Sequence, residues 1–431
     1  MVTMRWITTS PAAAWREGAP LPTQAEPHLI LTEGRHQVMD GFGACFNEMG
    51  WRSLQALPEA VRQQVLSDLF DPNTGCGFRL GRVPLGASDF ALEWYSGNEQ
   101  AGDLAMEHFS IARDERYLIP FIRAALSLQP DLRLFASPWS PPTWMKEPQV
   151  YNGGALRWEP EILEAYALYL RRFVEAYQAQ DFPLHQLHIQ NEPDSAQVFP
   201  SCLWTGAKLR DFIRDHLGPH FRAAGLACEI WAGTFERADY DAWAHTILHD
   251  SDARAFVAGV GYQWAGKGAV QRTRQSWPDL KIWQSENECG DGANTWAYAH
   301  YVFDLVHHYL SNGASGYLYW NMVLPPGGRS TWGWAQNSLI TIDPHQAAVS
   351  YNPEFYVMKH IAPWVTPGSV RLGLAGQWSG NALAFQTPAG ATVVVCANPF
   401  HDPVTLVVEA AGHRSQLLLE PLSFNTLVVR P

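Results

Sequence analysis

Eight short apolar segments recur along this chain, each bounded by Gly, Pro or polar residues and most separated by amphipathic stretches. They are Val38–Phe46, Phe78–Gly86, Leu132–Ser140, Leu184–Glu192, Cys228–Thr234, Val257–Trp264, Lys281–Glu288 and Gly316–Met322. Short runs of this kind suit parallel strands covered on both faces. Between them, Pro58–Phe70 carries Val61, Val65, Leu66 and Leu69 at helical spacing. Glu159–Gln178 does the same with Ile162, Leu163, Tyr166, Leu170, Phe173 and Tyr177. Leu209–Ala224 and Thr295–Leu310 follow the same rule. Strands alternating with helices predict an α/β fold with a parallel sheet, and eight repeats predict a closed (β/α)8 TIM barrel. We assign residues 37–365 to this barrel. That is longer than the roughly 250 residues typical of the fold, so the excess is expected in loops after strands.

The tail changes character. Val393–Val395, Val404–Val408, Gln416–Leu419 and Thr426–Val429 are short strand-like runs separated by turn residues. Residues 366–431 therefore predict a small antiparallel β-sandwich domain. Residues 1–36 fit neither pattern of the barrel and are expected to join the β domain.

Composition narrows the function. A net charge of -12 repels nucleic acid and anionic membrane, so no nucleic-acid partner is expected. No stretch approaches the roughly 18 apolar residues of a membrane span, so no integral membrane contact is expected. Met1–Ile7 has no apolar run of secretory type, which predicts a cytoplasmic protein with free thiols at its six cysteines. None of these has C-x-x-C spacing, and the pairs His185/His188 and His307/His308 do not form a ligand set. No metal or cofactor is expected. The chain carries 19 tryptophans. Most belong in packing, but an indole also stacks on the apolar face of a sugar ring.

Two carboxylates stand where a barrel would use them. All strand C-termini of such a barrel open on one face, where the site lies. Glu192 closes the run Leu187-His188-Ile189-Gln190-Asn191-Glu192, and Glu286 closes Lys281-Ile282-Trp283-Gln284-Ser285-Glu286. Facing acids suit hydrolysis of a glycosidic bond, and a retaining enzyme holds them about 5–5.5 Å apart. Glu192 would be the acid, its pKa raised by burial and by the second carboxylate. Asn191 beside it would bind the sugar hydroxyl next to the reacting carbon. Glu286 would be the nucleophile, although spacing leaves Glu288 as a competitor of the same strand parity.

A series of motifs carries a family resemblance from about residue 38 to 372. Asp40-Gly41-Phe42-Gly43-Ala44, Arg82-Val83-Pro84, Ser88-Asp89-Phe90, and Ala136-Ser137-Pro138-Trp139-Ser140-Pro141-Pro142-Thr143-Trp144 occur in order. Asn191-Glu192-Pro193, then Arg210–Asp215 with Leu217-Gly218-Pro219, then Ser285-Glu286 and Trp320-Asn321 follow. Together they resemble glycoside hydrolase family 30, the family of lysosomal glucosylceramidase. The resemblance implies a retaining glycosidase acting on a small-molecule or oligosaccharide β-glycoside without a cofactor. It implies Glu286 rather than Glu288 as nucleophile and Glu192 as acid/base. It further implies that Arg82 holds the nucleophile, that Asp89 and Trp139 contact sugar hydroxyls, and that Trp320 floors the sugar site. Trp144 is expected to be structural.

One stretch departs from the family. In Gly261-Tyr262-Gln263-Trp264-Ala265, the usual tyrosine becomes Ala265 and a histidine becomes Gln263. Tyr262 and Trp264 remain as substrate-binding candidates there. The expected activity is that of an exo-acting β-glucosidase. β-Xylosidase, β-fucosidase and endo-β-1,6-glucanase or galactanase activities are the alternatives within the same chemistry, and a non-catalytic sugar-binding protein is the alternative outside it. The loops Lys146–Trp158 and Leu324–Asn337 are expected to set the choice.

Overall fold

Eight parallel strands close on themselves in the order of the sequence. They are β1 (Gly41–Cys45), β2 (Leu80–Leu85), β3 (Arg133–Pro138), β4 (Leu184–His188), β5 (Glu229–Phe235), β6 (Val257–Gln263), β7 (Lys281–Glu286) and β8 (Gly316–Asn321). The last strand pairs with the first, Gly316 opposite Gly41 and Tyr317 opposite Phe42, which completes the barrel. This computed structural model describes residues 3–430; Met1 and Val2 of the amino-terminal segment, and Pro431, lie outside the described residues.

Alternation along each strand separates two cores. Leu80, Phe135, Trp231, Trp283 and Leu318 point inward and plug the barrel. Their neighbours Val83, Ala136, Ile230, Ile282 and Tyr317 point outward and pack under the helices. The large inward tryptophans need space. A Cβ on Gly316 would sit 2.8 Å from the Trp283 ring, so that position admits only glycine.

The helices form where the apolar spacing predicts. Glu59–Phe70 buries Val65, Leu66, Leu69 and Phe70, while Val61 is 37% exposed. Pro160–Gln178 buries Ile162, Leu163, Tyr166, Leu170, Phe173 and Tyr177. Trp296–Ser311 begins at Thr295, whose hydroxyl accepts from the Tyr298 N–H at 3.2 Å. The expected helix Leu209–Ala224 starts earlier, at Gly206, and is widened by one π turn over Ile213–Leu217. Pro219 has no N–H to give the carbonyl one turn back, which favours such a bulge.

Ten further strands form one sheet that joins both ends of the chain, and two small sheets of three and two strands lie apart from it. Thr3–Ser10 pairs antiparallel with Ser423–Arg430, and Leu29–Val38 pairs with Val370–Ala375. One pair is parallel rather than antiparallel: Leu29 lies opposite Val408. The sheet curls so that Trp6, Val394 and Leu427 from one half meet Leu406, Val408 and Leu417 from the other. Its second face packs on the barrel helices. Phe424 stacks on Trp296 at 5.7 Å, and the buried His360 ring meets the hydroxyls of Thr9 and Thr426 at 2.9 and 2.8 Å. All six cysteines are buried and unpaired. Among the described residues, no helix is long and apolar enough to cross a membrane.

Candidate active site

Glu286 is the last residue of β7. Glu192 lies beyond the end of β4, which stops at His188. Polar Gln190 and Asn191 leave the ladder there, and short bonds to neighbouring strands hold the exit path. The Asn191 N–H donates to Pro138 O at 2.8 Å and the Glu192 N–H to Thr234 O at 3.2 Å. Glu192 and Trp264 both take left-handed backbone angles, φ +46° and +47°. For residues with a Cβ this costs about 1–2 kcal/mol each and persists only where surroundings enforce it. Here each turn swings a side chain into the barrel mouth.

Beneath the mouth lies Arg82, which is 0% exposed. Its Nη1 donates to Glu286 Oε2 at 2.7 Å and its Nη2 to Asn191 Oδ1 at 2.6 Å. The Ser137 hydroxyl accepts from Nε and Nη2 at 3.1 and 2.9 Å. Beside it, Gln263 accepts at Oε1 from the Ser285 hydroxyl at 3.0 Å and from Arg82 Nη1 at 3.3 Å. That orients the amide. Its Nε2 then donates to Glu192 Oε1 at 3.0 Å and to Glu286 Oε2 at 3.3 Å. Two oxygens sharing one donor at those distances lie no more than about 6.3 Å apart, below the roughly 6.5–9.5 Å of inverting glycosidases.

The two acids differ in environment. Burial, then the charge of Glu286, then that of Glu236, push Glu192 well above the usual carboxylate range. Burial also raises Glu286, but Arg82, the Trp264 indole and Gln263 oppose it. Trp264 Nε1 donates to Glu286 Oε1 at 3.2 Å, so both Glu286 oxygens face donors. Glu192 is thus the member pushed further toward its protonated form, while the donors around Glu286 oppose the push there.

Above the pair opens a cavity of about 300 Å³. Asp89, Trp139, Asn191, Glu192, Trp264 and Glu286 line it, together with Gln336 and Trp334 from the long loop after β8. Asp89 is buried; its Oδ1 has no hydrogen-bond partner among the described residues, and its Oδ2 faces Gln336 Nε2 at 3.4 Å. A buried acceptor without a partner is costly unless something else supplies the donor. Burial, then the charge of Glu286, raise the Asp89 carboxyl well above its usual range.

Several sequence candidates are placed differently. Arg82 acts from below the cavity. Trp320 is not on the cavity wall: it stacks on Trp139 at 5.5 Å and lies against the Arg82 guanidinium at 5.4 Å. Tyr262 is not in the site at all. Its hydroxyl bonds Thr273 on the following helix at 2.6 Å, and its ring packs on Phe235. Tyr262 and Trp264 do not share a side because the left-handed turn at Trp264 breaks the alternation. Glu288 faces away, paired with Lys267 Nζ at 2.6 Å and accepting from the Tyr301 hydroxyl at 2.6 Å. Trp144 is buried and donates to Asn98 O at 3.1 Å. The loop Lys146–Trp158 supplies none of the cavity lining. Its buried Lys146 ammonium donates to Tyr151 O and Ser201 O at 2.9 and 2.7 Å. Among the described residues, no group of His, Cys, Asp or Glu is arranged to hold a metal ion.

Some residues of the site do not follow from the sequence reading. Gln263, which enters that reading only as a departure from the family, lies buried beneath the cavity and bonds both acids. Gln336 and Trp334 arrive on a loop whose path is fixed by pairing of Val323–Leu324 with Ile340–Asp343. Glu236 follows directly on the apolar strand β5, the same signal that marked Glu192 and Glu286.

Known proteins resemble this chain along most of its length. The sequence profile of the glycosyl hydrolase family 30 TIM-barrel domain matches residues 39–365. Lysosomal acid glucosylceramidase of Mus musculus is 27% identical over 416 residues, covering 88% of this chain and 79% of that protein. The endo-1,6-beta-D-glucanase of Neurospora crassa is 26% identical over 399 residues, covering 88% and 82%. The crystal structure of SrfJ from Salmonella typhimurium superposes with a TM-score of 0.91 and 26% identity, covering 100% of both chains.

Proposed function

The chain belongs to glycosyl hydrolase family 30, and from that membership we propose that it is a retaining, exo-acting β-glycosidase of β-glucosidase type. Glu286 attacks the anomeric carbon while Glu192 gives its proton to the leaving oxygen. The bond to the leaving group breaks, and a glycosyl ester on Glu286 forms. Glu192, now ionised, takes a proton from water. The resulting hydroxide equivalent displaces Glu286 and regenerates both groups. Arg82 and Trp264 keep Glu286 charged before attack and stabilise it again as it departs.

The observation that carries this reading is the shared Gln263 donor, which holds the carboxyls close while burial and the flanking charges keep their proton affinities apart. Exo action is supported by Asp89, whose unpartnered oxygen suits a hydroxyl of a terminal sugar. A second reading, endo-β-1,6-glucanase, draws support from the Neurospora crassa relative, whose identity to this chain nearly equals that of the glucosylceramidase.

A substrate screen tests the proposal. Aryl β-glucoside, xyloside, fucoside and galactoside are compared with β-1,6-glucan and glucosylceramide. Turnover of the aryl glucoside by the wild type, lost by about 10³-fold or more in a folded Glu286→Gln variant, is the expected result. Cleavage of polymers alone would overturn exo action.

A further inference from the structure

A separate cleft of about 290 Å³ lies at the opposite end of the barrel, where the curled sheet meets two helix ends. Arg35, His36 and Gln37 enter it from the strand Leu29–Val38, and Arg371 from the strand Val370–Ala375. Arg274 enters from the helix Val270–Ser276 before β7, and Gly313 from the turn before β8. Among the described residues, no aspartate or glutamate lines the cleft. That is unusual placement in a chain of net charge -12.

The basic groups are held in place by neutral partners. Buried Gln37 donates from Nε2 to Leu310 O and Ala314 O at 2.7 and 2.9 Å, which turns its Oε1 toward Arg371. Arg371 Nε donates to that oxygen at 3.2 Å, and its Nη2 to Ser311 O at 3.4 Å. Arg35 Nη1 donates to Gln386 Oε1 at 2.7 Å, and Arg274 Nη1 to Pro278 O. Gly313 takes φ +100°, and a Cβ there would stand 2.7 Å from Arg274 Cγ, so glycine makes room for the arginine. The carbonyl end of the helix Trp296–Ser311 offsets only about half a charge. Three guanidiniums face it. Burial pushes Arg371 down to about 10, the direction of a cation without a close counter-charge. Burial, then the charges of Arg371 and Arg274, push His36 down as well.

We propose that this cleft binds a phosphate group, either free phosphate or the phosphate of a sugar ester, on Arg35, Arg274 and Arg371. A carboxylate has two oxygens and one charge, enough for a single guanidinium fork. A phosphate offers three or four oxygens and close to two charges, which suits arginines brought from three separate elements. Bound there, it ties the sheet to the barrel. The cleft lies beside the starts of β7 and β8, whereas Glu286 ends β7, a strand length of about 20 Å away. Occupancy therefore acts on stability and leaves the chemistry at the mouth unchanged.

Calorimetric titration of the full chain at fixed ionic strength tests the site, with inorganic phosphate and glucose 6-phosphate as probes. Saturable binding of one phosphate group per chain is expected, with a rise in Tm that follows occupancy. The tighter of the two probes identifies the source of the group. Arg35→Gln and Arg274→Gln are each expected to weaken binding about tenfold or more. Arg272→Gln is the control: this arginine lies on the same helix but pairs with Asp241 at 3.1 Å, and its loss is expected to leave binding unchanged. Absence of saturable binding by both probes would overturn the site, and so would binding that survives Arg35→Gln and Arg274→Gln. An equal rise in Tm with sodium chloride at the same ionic strength would also overturn it, since that is screening alone.

Discussion

Glu192 and Glu286 accept hydrogen bonds from one nitrogen, Gln263 Nε2, at 3.0 and 3.3 Å. A neutral amide held by Arg82 and Ser285 thus sets the spacing of the pair without adding charge. Replacing it with a carboxylate would add a third anion beside Glu192 and push its pKa further up. Gln263→Glu is therefore expected to move the alkaline limb of the kcat/KM profile to higher pH and to lower its maximum. Gln263→Ala is expected to cost about 10–100-fold in kcat/KM. A pH–rate series on an aryl glycoside checks both.

Arg82 reaches Glu286 and Asn191 with separate arms of one guanidinium. Lysine retains the charge but cannot span both partners. Arg82→Lys is expected to lower kcat/KM by about 10²-fold or more, because a buried carboxylate loses its bonds. The direction of the pH effect follows from sign. Arg82 favours ionised Glu286, so weakening it raises the Glu286 pKa and moves the acidic limb to higher pH. The same pH–rate measurement reads this shift.

The barrel was legible because its strands are apolar runs with polar or glycine borders, and β2, β3 and β5–β8 begin and end within one or two residues of those borders. The exit of β4 was not: the regular ladder stops at His188, and beyond it Asn191 and Glu192 are held by bonds to Pro138 and Thr234, distant in sequence. Tyr262 keeps the outward face of the strand, while a left-handed turn that nothing in the sequence announces brings Trp264 to Glu286. Trp320 was expected on the floor of the site, but the Trp139 ring stacked on it occupies the cavity wall instead. Gln336 depends on strand pairing after β8, and the amino-terminal strands depend on partners at the far end of the chain. Both are non-local and leave no periodic trace. Glu236 did leave one, an acid directly after an apolar strand.

Asp114 gives a stability prediction away from the site. It is buried and accepts from the hydroxyls of Tyr95 and Tyr177, both at 2.8 Å. Burial pushes its carboxyl up to about 7. In the unfolded chain an aspartate titrates near 3.9, so between those values the folded state binds a proton that the unfolded state does not. Stability from this group is therefore present at low pH and is lost as pH rises through about 7. Asp114→Asn is expected to reduce the fall in unfolding free energy between pH 5 and pH 8, measured by urea denaturation at both.

Gly43 sits where β1 meets β2. A Cβ there would lie 1.7 Å from the Leu80 carbonyl oxygen, against backbone that cannot move aside. Gly43→Ala is expected to destabilise the fold by more than about 2 kcal/mol, or to prevent barrel closure altogether. Thermal unfolding followed by circular dichroism distinguishes it from a neutral surface change.

The pairing of Glu286 as nucleophile with Glu192 as acid is tested most directly by trapping the glycosyl ester. The protein is incubated with 2,4-dinitrophenyl 2-deoxy-2-fluoro-β-glucoside, digested, and its peptides are mass-analysed. The expected result is one fluoroglucosyl group on the peptide carrying Glu286, together with loss of activity in proportion to labelling. Labelling at Glu192 or Glu288, or unlabelled protein that still turns over aryl β-glucoside with inversion, would contradict the account.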